Sequence, residues 1–244
     1  MNIAKKDINK VLTIFLLSHF AIWVLIPAVS NNNLPLDTIE ALAWGSNLDW
    51  GFNKHPPLSA FATEIFYQIF GSQDWAYYFL SQLFVVSAFF VVFKFSEDFF
   101  KNKIHSLISI LLLEGIFFYN FTSPEFNVNV CQLPFWALTV YYCWKGFTKY
   151  DTKSWILFGL FAGLGILSKY LFIYLLIALD IFFIYLIVKK INNIGPTFMT
   201  VKNINFLSLK FIFVLNFEII KKSITKKGTS IPICFPKNID GNDM

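Results

Sequence analysis

The chain has no arginine, and only 14% of its 244 residues are charged. A water-soluble domain usually has about 25% charged residues. The net charge of +5 comes from lysines scattered among the ends of apolar segments. A nucleic-acid-binding domain instead gathers its basic residues on one face. The sequence therefore argues against a soluble domain and against nucleic acid as a partner.

Cysteine is also scarce. The three cysteines, Cys131, Cys143 and Cys234, form no CxxC pair and have no His/Cys spacing typical of a zinc site. Cys131 and Cys143 lie in an apolar segment, which predicts that they are small packing residues. Because nothing has the pattern of a dedicated metal site, the sequence predicts no metal and no cofactor.

Apolar residues dominate what remains. The chain is 56% hydrophobic and 20% aromatic, and several runs reach the roughly 20 residues needed to cross about 30 Å of hydrocarbon. The sequence therefore predicts a polytopic membrane protein, an all-α bundle of about six spans. The predicted spans are at about residues 11–29, 75–95, 104–121, 130–147, 155–168 and 170–188.

The connections between these spans alternate between lysine-rich and lysine-poor. By the positive-inside rule, the lysine-rich ends face the cytoplasm. The N-terminus is then cytoplasmic, and the long connection at residues 30–74, here called the first loop, lies outside an inner (cytoplasmic) membrane. Within it, apolar residues of 58–70 recur at helical spacing, which predicts an interfacial helix along the membrane surface.

The composition changes near residue 190. Residues 1–190 form the predicted membrane domain, whereas 191–244 is a divergent tail richer in Asn, Lys, Thr and Ser. The tail has one weak candidate for a seventh span, at 206–220, which is interrupted by Lys210 and Glu218.

The first loop gathers acids, a lysine and a histidine between two apolar segments. Asp37 and Glu40, if helical, share one face at i, i+3 spacing. A carboxylate can deprotonate a hydroxyl, and a cation such as Lys54 can offset the charge of a departing phosphate. This concentration of polar and charged residues in the first loop predicts a reaction at the membrane surface. A structural alternative is that Asp37 only caps an interfacial helix.

The order of short motifs resembles that of the family 39 glycosyltransferases, bacterial membrane enzymes of GT-C architecture related to protein O-mannosyltransferases. The resemblance covers the first 190 residues. The matching stretches are Asp37-Thr38-Ile39-Glu40, Trp44-Gly45, Asp49-Trp50-Gly51-Phe52, Lys54-His55-Pro56-Pro57-Leu58, Asp74-Trp75-Ala76-Tyr77-Tyr78, Phe126-Asn127-Val128-Asn129, Leu133-Pro134-Phe135-Trp136 and Leu167-Ser168-Lys169-Tyr170.

This resemblance implies transfer of a sugar from a polyprenyl-phosphate donor to a hydroxyl of a lipid or glycan acceptor, usually by a single inverting displacement. It implies Asp37 as the catalytic base and Glu40 as a second catalytic acid. Many relatives carry the second acid immediately beside the first, whereas here it comes three residues later. Lys54 and His55 are then expected to bind the donor phosphate, while Pro56 and Pro57 fix the chain before the interfacial helix.

Other polar and aromatic residues are weaker candidates for substrate binding. Trp44 and Trp50 could stack on a sugar face, although interfacial aromatic belts contain the same residues. Glu125, Asn127 and Lys169 are predicted on the same side as the first loop. Solvation of a loop or of a tight turn explains them equally well.

Three alternatives remain open from the sequence. Relatives of this family are about twice as long, so a truncated enzyme is expected. A transporter or flippase of lipid-linked sugars would instead use the intramembrane acids Glu114 or Asp180; the structural interpretation of both acids is polar contact within the bundle. An inactive remnant or accessory subunit is the third alternative.

Overall fold

A computed structural model describes residues 5–191 of the chain. Every regular element in this range is helical, which confirms the all-α prediction. Beyond residue 191, the predicted tail and its weak span at 206–220 lie outside the described residues. The helices are α1 (Lys5–Ser30), α2 (Leu36–Gly45), α3 (Leu58–Phe70), α4 (Asp74–Ser96), α5 (Lys103–Glu114), α6 (Val128–Lys149), α7 (Thr152–Ser168) and α8 (Ile173–Ile191), with 3-10 turns at Phe117–Tyr119 and Tyr170–Phe172.

Several helices have the length and composition of membrane spans. Asp7–Ser30 in α1, Asp74–Ser96 and Tyr170–Val188 are each long and apolar enough to cross a bilayer. Thr152–Ser168 is a shorter apolar helix. Large apolar side chains are exposed along α1 and α8, as expected of surfaces that face hydrocarbon. The chain is a membrane protein; the count of six spans stays a prediction.

The predicted third span, 104–121, is wrong as a single helix. Helix α5 ends at Glu114, after 12 residues, and at 1.5 Å per residue it is about 18 Å long. The chain then takes an extended conformation at Ile116 before the 3-10 turn. Asn120 stabilises this end because its Nδ2 donates a hydrogen bond to the Glu114 carbonyl, 2.7 Å away.

The core is built around α4 and α6. One cluster joins these helices to the segment before α6, and a second joins α6, α7 and α8. Cys131 and Cys143 are buried, one in each cluster, which confirms that they are packing residues. The first cluster contains Leu80, Val85, Phe89, Phe126, Val130 and Cys131. The second contains Cys143, Phe158, Ala162, Ile166, Phe172, Leu176 and Phe183.

Helices α2 and α3, which follow α1 and precede α4 in the sequence, pack against each other. Helix α3 has the bounds that the sequence predicts for the interfacial helix. Its small residues Ser59, Ala60 and Thr63 are buried, whereas Ile65 and Ile69 are exposed. Large apolar residues on the outside and small ones on the inside suit a helix in contact with lipid.

Candidate active site

The candidate site begins at the first turn of α2. The residue before this helix is Pro35, which has no side chain able to cap the free backbone N–H groups. Glu125 supplies the missing acceptor, because its Oε1 accepts a hydrogen bond from the Asp37 N–H at 3.1 Å. A carboxylate at this position also interacts favourably with the helix dipole. The cap of α2 therefore comes from 88 residues away.

The side chain of Asp37 remains free. Asp37 is exposed, and within residues 5–191 its carboxylate has no hydrogen-bond or ion-pair partner. The Asp37 side chain makes no capping hydrogen bond to α2, although an acid in the first turn still interacts favourably with the helix dipole. A free carboxylate is available to accept a proton.

Glu40 is engaged differently. Both of its carboxylate oxygens contact the Lys54 amine, at 2.8 and 3.1 Å. This hydrogen bond raises the pKa of Lys54, and the charges of Glu40 and Asp37 act in the same direction. The pair therefore keeps Lys54 positively charged and turned toward α2. Since the Lys54 side chain is well exposed, the contact contributes little to stability.

His55 lies among the charged groups of the site. Partial burial lowers the pKa of its imidazole below the ordinary value, so the ring is neutral at pH 7. Four charged side chains act on this ring: Glu40 and Asp37 raise its pKa, and Lys54 and Lys169 lower it. The structure therefore brings Lys169, more than a hundred residues away in sequence, into the electrostatic surroundings of the first loop.

Aromatic rings pack beside these charges. Trp44 stacks on Phe52, with ring centroids 5.3 Å apart, and meets the edge of the His55 ring. Trp50 packs edge-on against Phe61 and stays largely exposed. Stacking of Trp44 or Trp50 on a sugar stays a prediction, and Trp50 has the more open surface for it.

The segment before α6 carries the remaining candidates. The side-chain oxygen of Asn127 caps α6 by accepting hydrogen bonds from the N–H groups of Asn129 and Val130. Lys169 donates a hydrogen bond to Asn129. Asn127 and Glu125 thus each cap a helix, and substrate binding by Glu125, Asn127 and Lys169 stays a prediction.

Two further residues with buried polar contacts, Thr38 and His19, were not candidates for a functional role in the sequence analysis. Thr38 is buried, and its hydroxyl donates a hydrogen bond to the Phe126 carbonyl at 3.1 Å. His19 is buried in α1, with Nδ1 2.6 Å from an oxygen of Glu114. Glu114 therefore makes a polar contact inside the bundle, as the structural interpretation expects. The only sequence signal for His19 is a polar residue inside an apolar run.

Comparison with known proteins identifies the family of the chain. The model of the dolichyl-phosphate-mannose-protein mannosyltransferase family matches residues 54–215. The chain belongs to this family. The family match includes Lys54, His55 and Lys169 and begins after Asp37 and Glu40, so the roles of those two acids depend on the geometry described above.

One relative of this chain is an undecaprenyl phosphate-alpha-4-amino-4-deoxy-L-arabinose arabinosyl transferase of Wigglesworthia glossinidia brevipalpis. It is 31% identical over 153 residues, which are 59% of this chain and 26% of the relative. The chain thus spans about a quarter of the relative's length. No solved structure matches the chain.

Proposed function

We propose that the chain is a glycosyltransferase that moves a sugar from a polyprenyl-phosphate donor to a hydroxyl of a lipid or glycan acceptor. The observation that carries this proposal is the free carboxylate of Asp37 beside the Glu40–Lys54 pair. Membership of a mannosyltransferase family supports it. The similarity to an arabinosyl transferase that is named for an undecaprenyl phosphate sugar also supports it.

Each group has a role in a single displacement. Asp37 takes the proton of the acceptor hydroxyl while the hydroxyl oxygen bonds to the anomeric carbon of the sugar. The bond between that carbon and the phosphate oxygen breaks, and its electron pair leaves with the polyprenyl phosphate. Lys54 and Lys169 stabilise the charge on this leaving group. Glu40 holds Lys54 in place, and His55, neutral at pH 7, contributes hydrogen bonds.

The proposed location is an inner membrane, with the N-terminus in the cytoplasm and the first loop outside. The lysine distribution supports this orientation. The donor's phosphate then lies at the level of α2 and α3, next to the helix whose exposed Ile65 and Ile69 suit contact with lipid. Membrane lipids are accordingly expected neighbours of the site.

The direct test uses proteoliposomes that contain the full chain, a polyprenyl-phosphate sugar labelled in the sugar, and a lipid acceptor. We expect labelled acceptor and free polyprenyl phosphate in equal amounts. Movement of intact donor across the bilayer without release of polyprenyl phosphate would contradict the proposal in favour of a transporter. Absence of both events would contradict it in favour of a remnant or accessory subunit.

The state of His55 gives a pH prediction. The pKa of the His55 imidazole lies below the ordinary value of 6.5. The ring is therefore neutral at pH 6.5 and above, and it gains a proton only when the pH falls further. The added charge lies near the proposed phosphate site, so the KM for the donor should fall by about threefold as the His55 ring gains its proton at a pH below 6.5. In the His55→Gln variant, the KM should stay constant over the same fall in pH.

The matched control for this measurement is His105→Gln. His105 lies at the start of α5, where its ring packs against Phe100, and it is not part of the site. This variant should keep the pH dependence of the wild type. A KM that rises as the pH falls, or an unchanged profile in His55→Gln, would exclude the proposed role of His55.

A further inference from the structure

A chain of polar side chains, all buried except the half-buried Glu114, runs from the interior of the helix bundle to the candidate site. It starts at His19 in α1 and Glu114 at the end of α5, whose side chains are 2.6 Å apart. His19 Nε2 lies 3.1 Å from Gln82 Oε1 in α4, and Gln82 Nε2 lies 3.0 Å from Ser123 Oγ. His19, Gln82 and Ser123 are each at most 3% exposed. Polar groups this deeply buried are costly unless they are paired.

The direction of each hydrogen bond follows from one fixed end. The backbone carbonyl of Asn120 can only accept, so the Ser123 hydroxyl, 3.0 Å away, donates to it. Ser123 Oγ must then accept from the Gln82 amide nitrogen, which turns the amide oxygen of Gln82 toward His19. His19 Nε2 therefore carries a hydrogen.

The 2.6 Å separation of His19 Nδ1 and the Glu114 carboxylate implies one proton between them, because two unprotonated acceptors would repel each other at this distance. With Nε2 protonated, the proton between Nδ1 and the carboxylate belongs either to an imidazolium or to a carboxylic acid. The pair is electrically neutral in both cases. A neutral pair is the state that a low-dielectric bundle favours, since an isolated charge there is strongly destabilising.

The other end of the chain is the segment 120–126, which leads directly to the site. From one side, the Ser81 hydroxyl donates to the Ser123 carbonyl. On the other side, two residues of the segment hold α2: Glu125 accepts from the Asp37 N–H, and the Phe126 carbonyl accepts from Thr38. The segment is thus fastened to the bundle on one side and to the first turn of α2 on the other.

We propose that His19 is a positioning residue: the neutral His19–Glu114 pair, through Gln82 and Ser123, fixes the segment 120–126 and thereby the orientation of Asp37. This inference rests on the proposed function for the role of Asp37. The coupling between the bundle and α2 can be measured without any transfer activity.

The test compares two variants of the full chain in lipid nanodiscs by hydrogen exchange. His19→Phe keeps an aromatic ring beside Phe89 but removes both ring nitrogens. Backbone exchange in 120–126 and in the first turn of α2 should become at least about tenfold faster. In Glu114→Gln, the amide can still donate to Nδ1, so exchange should stay within about twofold of the wild type.

Activity gives a second readout. If Asp37 loses its orientation in His19→Phe, kcat should fall about tenfold while the KM for the donor changes less than about twofold. Glu114→Gln should keep both values. A wild type without transfer would contradict the proposed function, whereas the exchange measurement would still decide the coupling.

A second variant with a smaller change, Ser123→Ala, tests the same coupling if His19→Phe fails to fold. Ser123→Ala removes the hydroxyl that joins Gln82 to Asn120, and it should raise exchange in the same two segments. Ser106→Ala is the matched control, because Ser106 is equally buried in α5 but its hydroxyl has no partner within the described residues. Unchanged exchange in Ser123→Ala, or an equal effect of Ser106→Ala, would overturn the proposal. A Glu114→Gln variant as damaged as His19→Phe would also overturn it.

Discussion

Asp37→Asn should lower sugar transfer by about 10²- to 10⁴-fold, the range that a positioned general base contributes. Asparagine has the same shape as aspartate but cannot accept the acceptor's proton. The Asp37 N–H that donates to Glu125 belongs to the backbone and is unaffected by the substitution. The loss should therefore appear in kcat, measured with a labelled polyprenyl-phosphate sugar in proteoliposomes, with the helical content unchanged.

Asp49→Asn provides the matched control. Asp49 is an exposed acid of the same loop, and it takes no part in the proposed displacement, so its variant should transfer sugar at the wild-type rate. Glu40→Gln should have a smaller effect than Asp37→Asn, because it weakens the contact that holds Lys54 without removing the base. Equal transfer by wild type and Asp37→Asn would exclude Asp37 as the base.

Hydropathy and periodicity predicted those elements whose ends coincide with a change in polarity. Helix α3 follows a proline pair and ends before Gly71, which has a φ of 65°. Both ends of this helix can therefore be predicted from the local sequence. The end of α5 is different. The residues after Glu114 stay apolar through Phe117 and Phe118, and a hydropathy pattern cannot register a helix that stops while the side chains remain hydrophobic.

The candidate residues of the site come from the sequence, whereas the contacts among them come only from the structure. The order of the motifs predicts Asp37, Lys54 and Lys169 as candidate residues. No local pattern indicates that Glu125, rather than a neighbour, caps α2. The same holds for His19, whose partners come from α4 and α5. Contacts of this kind arise only when distant helices pack.

Gly45→Ala should lower kcat by about 10²-fold, because a displacement of about 1 Å in a reacting group can cost that much. Gly45 is buried at the end of α2, where that helix packs on α3. A Cβ there would lie 2.7 Å from the Ala60 carbonyl oxygen and 3.0 Å from the Glu64 Cβ. Because the closest of these atoms belongs to the backbone, α2 must move away from α3. Asp37 would move with it, relative to Lys54 just before α3.

Helix propensity predicts the opposite sign, since alanine in a helix is more favourable than glycine by up to about 1 kcal/mol. The close contact should outweigh this gain, because overpacking typically costs about 1–3 kcal/mol. The measurements are kcat and the thermal unfolding midpoint in detergent. Gly51→Ala is the control: a Cβ at Gly51 meets nothing within 4 Å, so both values should match the wild type. A Gly45→Ala variant that is more stable and fully active would show that the α2–α3 contact does not set the geometry of the site.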